Sequence, residues 1–241
     1  MNNKYLIVLS GGLDSVTTLN VYVNKYGSQN VKAISFDFHS KNNFTFNNNN
    51  VELICSKYWT KKLNVDHFII DVSYMSKILE HLRNNVSDLN IKNKEKPQTS
   101  MSFRNLQLLS IAAAYADIND CNKIVTGFQK QDNYTYWDTT NLFKDKFNEI
   151  LKLNKSVNIE LECPFINDNK EEEIRKGLEL GIDYSTTWTC YNPIIINEIN
   201  KIYPCRKCPS CLDRELNFKK LNMEDPLLKN GLNLKEVKNN E

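Results

Sequence analysis

Tyr5-Leu6-Ile7-Val8-Leu9-Ser10-Gly11-Gly12-Leu13-Asp14-Ser15 is the stretch that decides the fold. Residues 4–9 form a short apolar run with Tyr5, Ile7 and Val8, the kind of side chains that fill a pleated, buried strand. Ser10-Gly11-Gly12 supplies a turn, and from Asp14 to about Tyr26 the sequence reads as a helix. The same alternation continues outward. Residues 31–38 (VKAISFDF) predict a second strand, 51–63 a second helix, and 66–72 (DHFIIDV) a third strand leading to a helix near 74–84. Alternating strands and helices predict an α/β fold, a parallel sheet with helices on both faces.

Further along, residues 42–50 (NNFTFNNNN) are polar and without period, and read as a mobile loop. A second polar stretch, 90–102, precedes a helix over 103–118, whose Leu106, Leu109, Ile111, Ala113 and Ala114 suit burial. Residues 123–126 predict a strand ending at Gly127. Residues 169–180 predict a helix with Glu171, Glu172 and Glu173 in its first turns, where acidic groups favour the helix dipole, and Gly181 as its stop.

A chain of 241 residues fits one large domain with an appendage, here 1–182 and a C-terminal element 183–241 packed on the same body. Its 31 basic and 29 acidic residues leave +2, which argues against a main task of binding nucleic acid and for small-molecule chemistry. Apolar runs such as 5–9 and 194–196 are short, none in the sequence reaches the ~20 residues of a membrane span, and no signal-peptide pattern is visible. Of seven cysteines, Cys55, Cys121 and Cys163 are isolated, whereas Cys190, Cys205, Cys208 and Cys211 crowd the last quarter. Without a secretion signal such a cluster reads as metal-binding before disulfide, which places the chain in a reducing cytoplasm.

Where a parallel strand turns into a helix, backbone N–H groups and the helix dipole form an anion site. Glycine permits close approach there, and the Ser10 and Ser15 hydroxyls can donate to phosphate oxygens. A plain tight turn with Asp14 as N-cap is the alternative reading, and the absence of Gly-Lys-Ser/Thr excludes a Walker A loop. Strand followed by SGGxDS resembles the PP-loop of ATP pyrophosphatases, which cleave ATP between the α and β phosphates while adenylylating a substrate. The resemblance implies a Rossmann-like sheet of the adenine nucleotide alpha hydrolase kind, with Mg²⁺ accompanying ATP.

Cys205-Arg206-Lys207-Cys208-Pro209-Ser210-Cys211 sets three thiols at successive C-x2-C spacings, with Cys190 upstream as a fourth. Four thiolates complete a closed tetrahedral Zn²⁺ site, and Arg206, Lys207 and Arg214 stand where they can offset its negative charge. A redox pair or a [4Fe–4S] ligand set is the alternative. Together with Lys170-Glu171-Glu172-Glu173-Ile174, Gly177-Leu178-Glu179-Leu180-Gly181 and Thr187-Trp188-Thr189-Cys190-Tyr191, this cluster resembles the 7-cyano-7-deazaguanine synthase (QueC) family over about residues 4–220.

Further matches are Phe36-Asp37-Phe38, Arg104-Asn105, Thr126-Gly127, and Asp132 with Tyr136 and Asp138. The resemblance implies ATP binding by Leu9, Ser10, Gly11, Gly12, Leu13, Asp14, Ser15, Val16, Thr17 and Phe36. It implies a deazaguanine pocket around Arg104, Asp132, Tyr136 and Asp138, and catalysis by Asp14, Ser15 and Arg104. The planar fork of Arg104 suits a phosphate or a carboxylate, or it is a plain helix-surface arginine. Lys170 either reaches a phosphate or lies on a solvated face.

Three departures surround the implied substrate pocket. Where the family has Gly-Gln-Arg/Lys-His, this chain has His39-Ser40-Lys41; Pro-Gly before Arg-Asn is Ser102-Phe103; and Tyr-Pro-Asp-Cys is Tyr136-Trp137-Asp138-Thr139. His39 is either an acid or base near neutral pH or an exposed loop residue, and His67 and His81 read as structural. The resemblance implies a homodimer that converts 7-carboxy-7-deazaguanine and ammonia to the nitrile through adenylylated intermediates, with structural zinc. QueC-like relatives occur in phages and in antiviral systems, and the altered pocket also allows coupling of the activated deazaguanine to another amine, including one on a protein. A zinc-ribbon module that binds nucleotides or nucleic acid is the reading of another class.

Overall fold

The computed structural model describes residues 3–39, 45–46, 49–78, 103–130, 136–196 and 199–238. The first half runs β1 (Tyr5–Val8), α1 (Leu13–Tyr26), β2 (Val31–Asp37), the short strands β3 (Thr45–Phe46) and β4 (Asn49–Asn50), α2 (Val51–Lys62) and β5 (Asp66–Asp71). Helix Arg104–Ile118, β6 (Lys123–Val125), helix Asn141–Leu151, β7 (Glu160–Glu162) and helix Lys170–Glu179 follow. Strands β8 (Ile194–Ile196), β9 (Lys201–Tyr203) and β10 (Leu232–Asn233) complete the set, with helix Pro209–Lys220 between β9 and β10.

Five strands form a parallel sheet in the order β5-β2-β1-β6-β7. The central strand β1 shows why both faces are covered. Its side chains alternate, so Tyr5, Ile7 and Leu9 enter one core while Leu6 enters the other. The first core takes Leu13, Val16 and Leu19 from α1 and Ile54 and Trp59 from α2. The second takes Leu109 and Ala112 from helix Arg104–Ile118 and Phe143 and Phe147 from helix Asn141–Leu151. Trp188, Cys190, Ile202, Phe218 and Leu227 of the C-terminal segment belong to the first core, so its interior is continuous with that of β1 and α1. There, β8, β9 and β10 form a separate antiparallel sheet.

Several elements differ from the sequence expectation. The stretch 42–50 contains a short antiparallel pair, Thr45 with Asn50 and Phe46 with Asn49, in place of a structureless loop. Ala114 is exposed, because the buried side of its helix runs through Leu109, Ala112 and Ala116, one turn apart. Strand β7 has only three residues, two of them glutamates that serve an edge position: Lys123 pairs with Glu160 and, at 3.0 Å, with Glu162. The stretch 90–102, His81 and the end of the helix expected near 74–84 lie outside the described residues; 73–78 is helical. No helix among the described residues is long and apolar enough to cross a membrane.

His67 on β5 has its ring nitrogens within hydrogen-bond distance of two hydroxyls, Nε2 2.7 Å from Ser35 and Nδ1 3.1 Å from Thr60. Burial, reinforced by the Lys57 charge, lowers its pKa to about 4. The unfolded chain therefore takes up a proton that the folded chain refuses. The contribution of neutral His67 is complete above about 6.5 and is lost as pH falls through the window down to about 4. We expect His67→Gln to remove about 2 kcal/mol of the stability lost between pH 7 and pH 5, read as the difference between native and variant urea titrations at the two pH values.

Candidate active site and metal centre

In a parallel sheet all strand-to-helix connections emerge at one edge, and here that edge gathers the loop after β1 with the first residues of α1, α2, Arg104–Ile118 and Lys170–Glu179. Gly12 caps α1, and Gly11 stands at φ 86°, a region closed to most side chains. The Ser15 hydroxyl accepts from the N–H groups of Ser10 and Gly11, both at 3.2 Å, and Gly12 N–H donates to the Ser10 hydroxyl at 3.2 Å. Three loop N–H groups thus converge on two hydroxyls at a helix N-terminus, the geometry of an anion cradle.

Space explains Gly11 as well as conformation does. A Cβ there would lie 2.1 Å from the carbonyl oxygen of Glu52, in the first turn of α2. Gly11→Ala combines left-handed strain with a backbone clash, so we expect a loss of at least about 2 kcal/mol in urea-induced unfolding. Asp14 is in the first turn of α1 rather than at its cap. Its carboxylate accepts from Gln129 Nε2 at 2.8 Å and pairs with Lys170 Nζ at 3.1 Å, and Lys170 lies 3.5 Å from Asp213. Lys170 does not lie on a solvated face, since its side chain is only 13% exposed.

Leu9, Leu13, Val16 and Thr17 are buried beneath the loop, so only their backbone is available to a ligand at this edge. Phe36 turns its ring into the second core. Arg104 is exposed at the start of its helix, Tyr136 is half-buried and Asp138 is buried in a short turn after β6. Asp132 lies outside the described residues. Burial pushes the Glu52 carboxyl up to about 7, with the Arg104 charge opposing. His39 lies with its ring 3.4 Å from Asp71 and 3.6 Å from Asp37, at the ends of β5 and β2.

The cysteine segment is tied directly to this loop. Trp188 N–H donates to the Gly11 carbonyl at 3.0 Å, and the Tyr184 hydroxyl lies 2.9 Å from that of Thr17. Arg214 does not serve to offset the thiolates as the sequence suggested. It is fully buried, with Nε and Nη2 donating to the two carboxylate oxygens of Asp225 at 2.6 and 3.0 Å, Nη1 to the Thr187 hydroxyl at 2.8 Å, and Nη2 also to the Tyr184 carbonyl at 2.7 Å. A buried guanidinium is stable only when so fully paired, which explains its commitment to Asp225.

The sulfurs of Cys190, Cys205, Cys208 and Cys211 all lie within 4.8 Å of one another. Thiolates about 2.3 Å from a common tetrahedral ion would be about 3.8 Å apart, so the set fits a single metal ion. Backbone N–H groups of Cys205 and Asn192 donate to Cys190 Sγ at 3.2 and 3.3 Å, and that of Cys208 to Cys205 Sγ at 3.3 Å. Hydrogen bonding from the Cys211 thiol and these N–H groups holds Cys190 well below the usual thiol range. Gln129, Asp213 and Tyr184 escaped the sequence reading, and only the proximity of Gln129 to Thr126-Gly127 hinted at a role.

Residues 4–222 match the family described as queuosine biosynthesis protein QueC. The chain is 32% identical to 7-cyano-7-deazaguanine synthase 1 of Colwellia psychrerythraea, an alignment covering 94% of this chain and 99% of that protein. It is 32% identical to 7-cyano-7-deazaguanine synthase of Caldicellulosiruptor bescii, over 93% and 96% of the two chains. A 4-thiouridine synthetase solved with RNA and bound ATP shares the fold at 14% identity and a TM-score of 0.50, covering 98% of this chain and 53% of that one. Glycine loop, cysteine cluster and near end-to-end similarity agree that the chain belongs to the QueC family of queuosine biosynthesis proteins.

Proposed function

We propose that this protein converts 7-carboxy-7-deazaguanine, ammonia and ATP to 7-cyano-7-deazaguanine. The observation that carries this reading is the N–H cradle of Ser10–Ser15 beside Asp14, Gln129 and Lys170, in a chain that matches the family almost end to end. ATP lies with its β and γ phosphates against the loop and the α1 N-terminus, and Asp14 would hold the Mg²⁺ that accompanies ATP, which would neutralise phosphate charge. Arg104 holds the substrate carboxylate or the α-phosphate.

The carboxylate oxygen attacks the α-phosphorus, giving the acyl adenylate and releasing pyrophosphate. Ammonia displaces AMP from the carbonyl carbon and forms the amide. The amide oxygen attacks the α-phosphorus of a second ATP and releases a second pyrophosphate, and loss of AMP with the oxygen and of the two nitrogen-bound protons leaves the nitrile. The chain contributes position and fixed positive charge, from loop N–H groups, Lys170 and Arg104.

The metal is Zn²⁺ in a structural role. All four ligands are thiolates, so no coordination position stays open for substrate. Sulfurs within 4.8 Å of one another suit one ion, whereas the corners of an iron–sulfur cubane would hold them farther apart. The reading places the protein in the cytoplasm as a homodimer, with small-molecule partners only. Pyrophosphate release that depends on both ATP and 7-carboxy-7-deazaguanine tests it; release indifferent to the deazaguanine counts against the substrate.

A further inference from the structure

Phe103 and Trp137, far apart in sequence, meet edge to face with ring centroids 5.4 Å apart and planes at 71°. Trp137 is braced from below by Phe143, perpendicular to it at 5.5 Å, which stacks in turn on Phe147 in the second core. Neither upper ring is covered: Phe103 is 55% and Trp137 54% exposed. Two large aromatic rings, fixed relative to each other yet open to solvent, make a hydrophobic platform that folding itself does not use.

Phe103 adds a conformational argument. It occupies the left-handed region at φ 60°, at the cap position immediately before Arg104. A bulky side chain is strained there, and the usual occupant is glycine or asparagine. Burial of the ring would offset that strain, but this ring is more than half exposed.

The platform stands at the same sheet edge as the glycine loop. Phe103 caps helix Arg104–Ile118, whose first residues lie at that edge, and Arg104 follows it directly. With the two planes at 71°, a planar ring stacked on one member of the pair meets the edge of the other, and an anionic substituent on it would find its counter-charge in Arg104, the next residue in the chain after Phe103. We propose that Phe103 and Trp137 form the stacking wall that holds the deazaguanine ring, with Arg104 taking its carboxylate. The assignment rests on the substrate reading above and names the residues that determine ring recognition in this chain.

Of the three tryptophans, Trp59 and Trp188 are 1% and 0% exposed, so Trp137 is the one a ligand can touch. Titrating the full-length, zinc-loaded protein with 7-carboxy-7-deazaguanine is expected to quench its tryptophan emission. Trp137→Phe should abolish the quench while calorimetric affinity stays within about threefold, because a phenyl ring still stacks. Trp137→Ala and Phe103→Gly should each weaken binding about tenfold and raise KM for the deazaguanine while KM for ATP is unchanged. Phe103→Gly relieves the left-handed strain, so this variant folds and keeps the test decisive. If the native protein makes nitrile but shows no quench, or both truncations bind with unaltered affinity, the stacking wall is overturned and the synthase reading stands. A native protein that neither binds the deazaguanine nor makes nitrile overturns both.

Discussion

Cys208→Ala is expected to strip the metal from the protein and to cost much of its stability, since a structural zinc site contributes on the order of 10 kcal/mol in small domains. The damage should not stay at the tail. Cys208 caps helix Pro209–Lys220, which carries Arg214, and Arg214 fixes Tyr184 and Thr187. Next to them, Trp188 N–H donates to the Gly11 carbonyl of the loop. Metal content by elemental analysis should fall to background, the urea midpoint should drop sharply, and residual folded protein should bind ATP weakly. Cys121→Ala, at a cysteine of the second core outside the cluster, provides the control and should keep its metal. A Cys208 variant with full metal and native stability would contradict the site.

The second large effect is kinetic. Asp14→Ala should lower ATP-dependent turnover by about 10²–10³-fold, the loss typical when one preorganised electrostatic group is removed from a site of this kind. Stability should change by only about 1 kcal/mol, because Asp14 is a partly exposed partner and Lys170 retains Asp213 at 3.5 Å. Ser15→Ala should act in the same direction by withdrawing the acceptor of the Ser10 and Gly11 N–H groups. AMP formation measured beside thermal unfolding separates the two effects; full activity in the Asp14 variant would remove the loop assignment.

What the sequence discloses and what it hides divide along a physical line. Short-range patterns were legible: strand, glycine turn and helix over 5–26 lie in consecutive residues, and C-x2-C spacing determines which thiols can meet. The acidic first turns of Glu171, Glu172 and Glu173 and the stop at Gly181 made the helix Lys170–Glu179 equally plain. Contacts made across the chain were not. Asp14 and Lys170 are 156 residues apart, and only the parallel sheet brings their helix starts to one edge. Arg214 looked like a counter-charge for sulfur because it follows Cys211, whereas packing of the helix turns it inward to Asp225. Three-residue β7 and the Thr45–Phe46 pair were missed because pairing with neighbours, not local composition, makes them strands.

The measurement closest to the central claim uses ¹⁵N-ammonium. Zinc-loaded protein is incubated with it, ATP, Mg²⁺ and 7-carboxy-7-deazaguanine, and the products are followed by mass spectrometry. The account predicts a 7-cyano-7-deazaguanine one mass unit heavier than the unlabelled nitrile, with two AMP formed for each nitrile. Unconsumed deazaguanine, or AMP formed without any labelled nitrile, would contradict it.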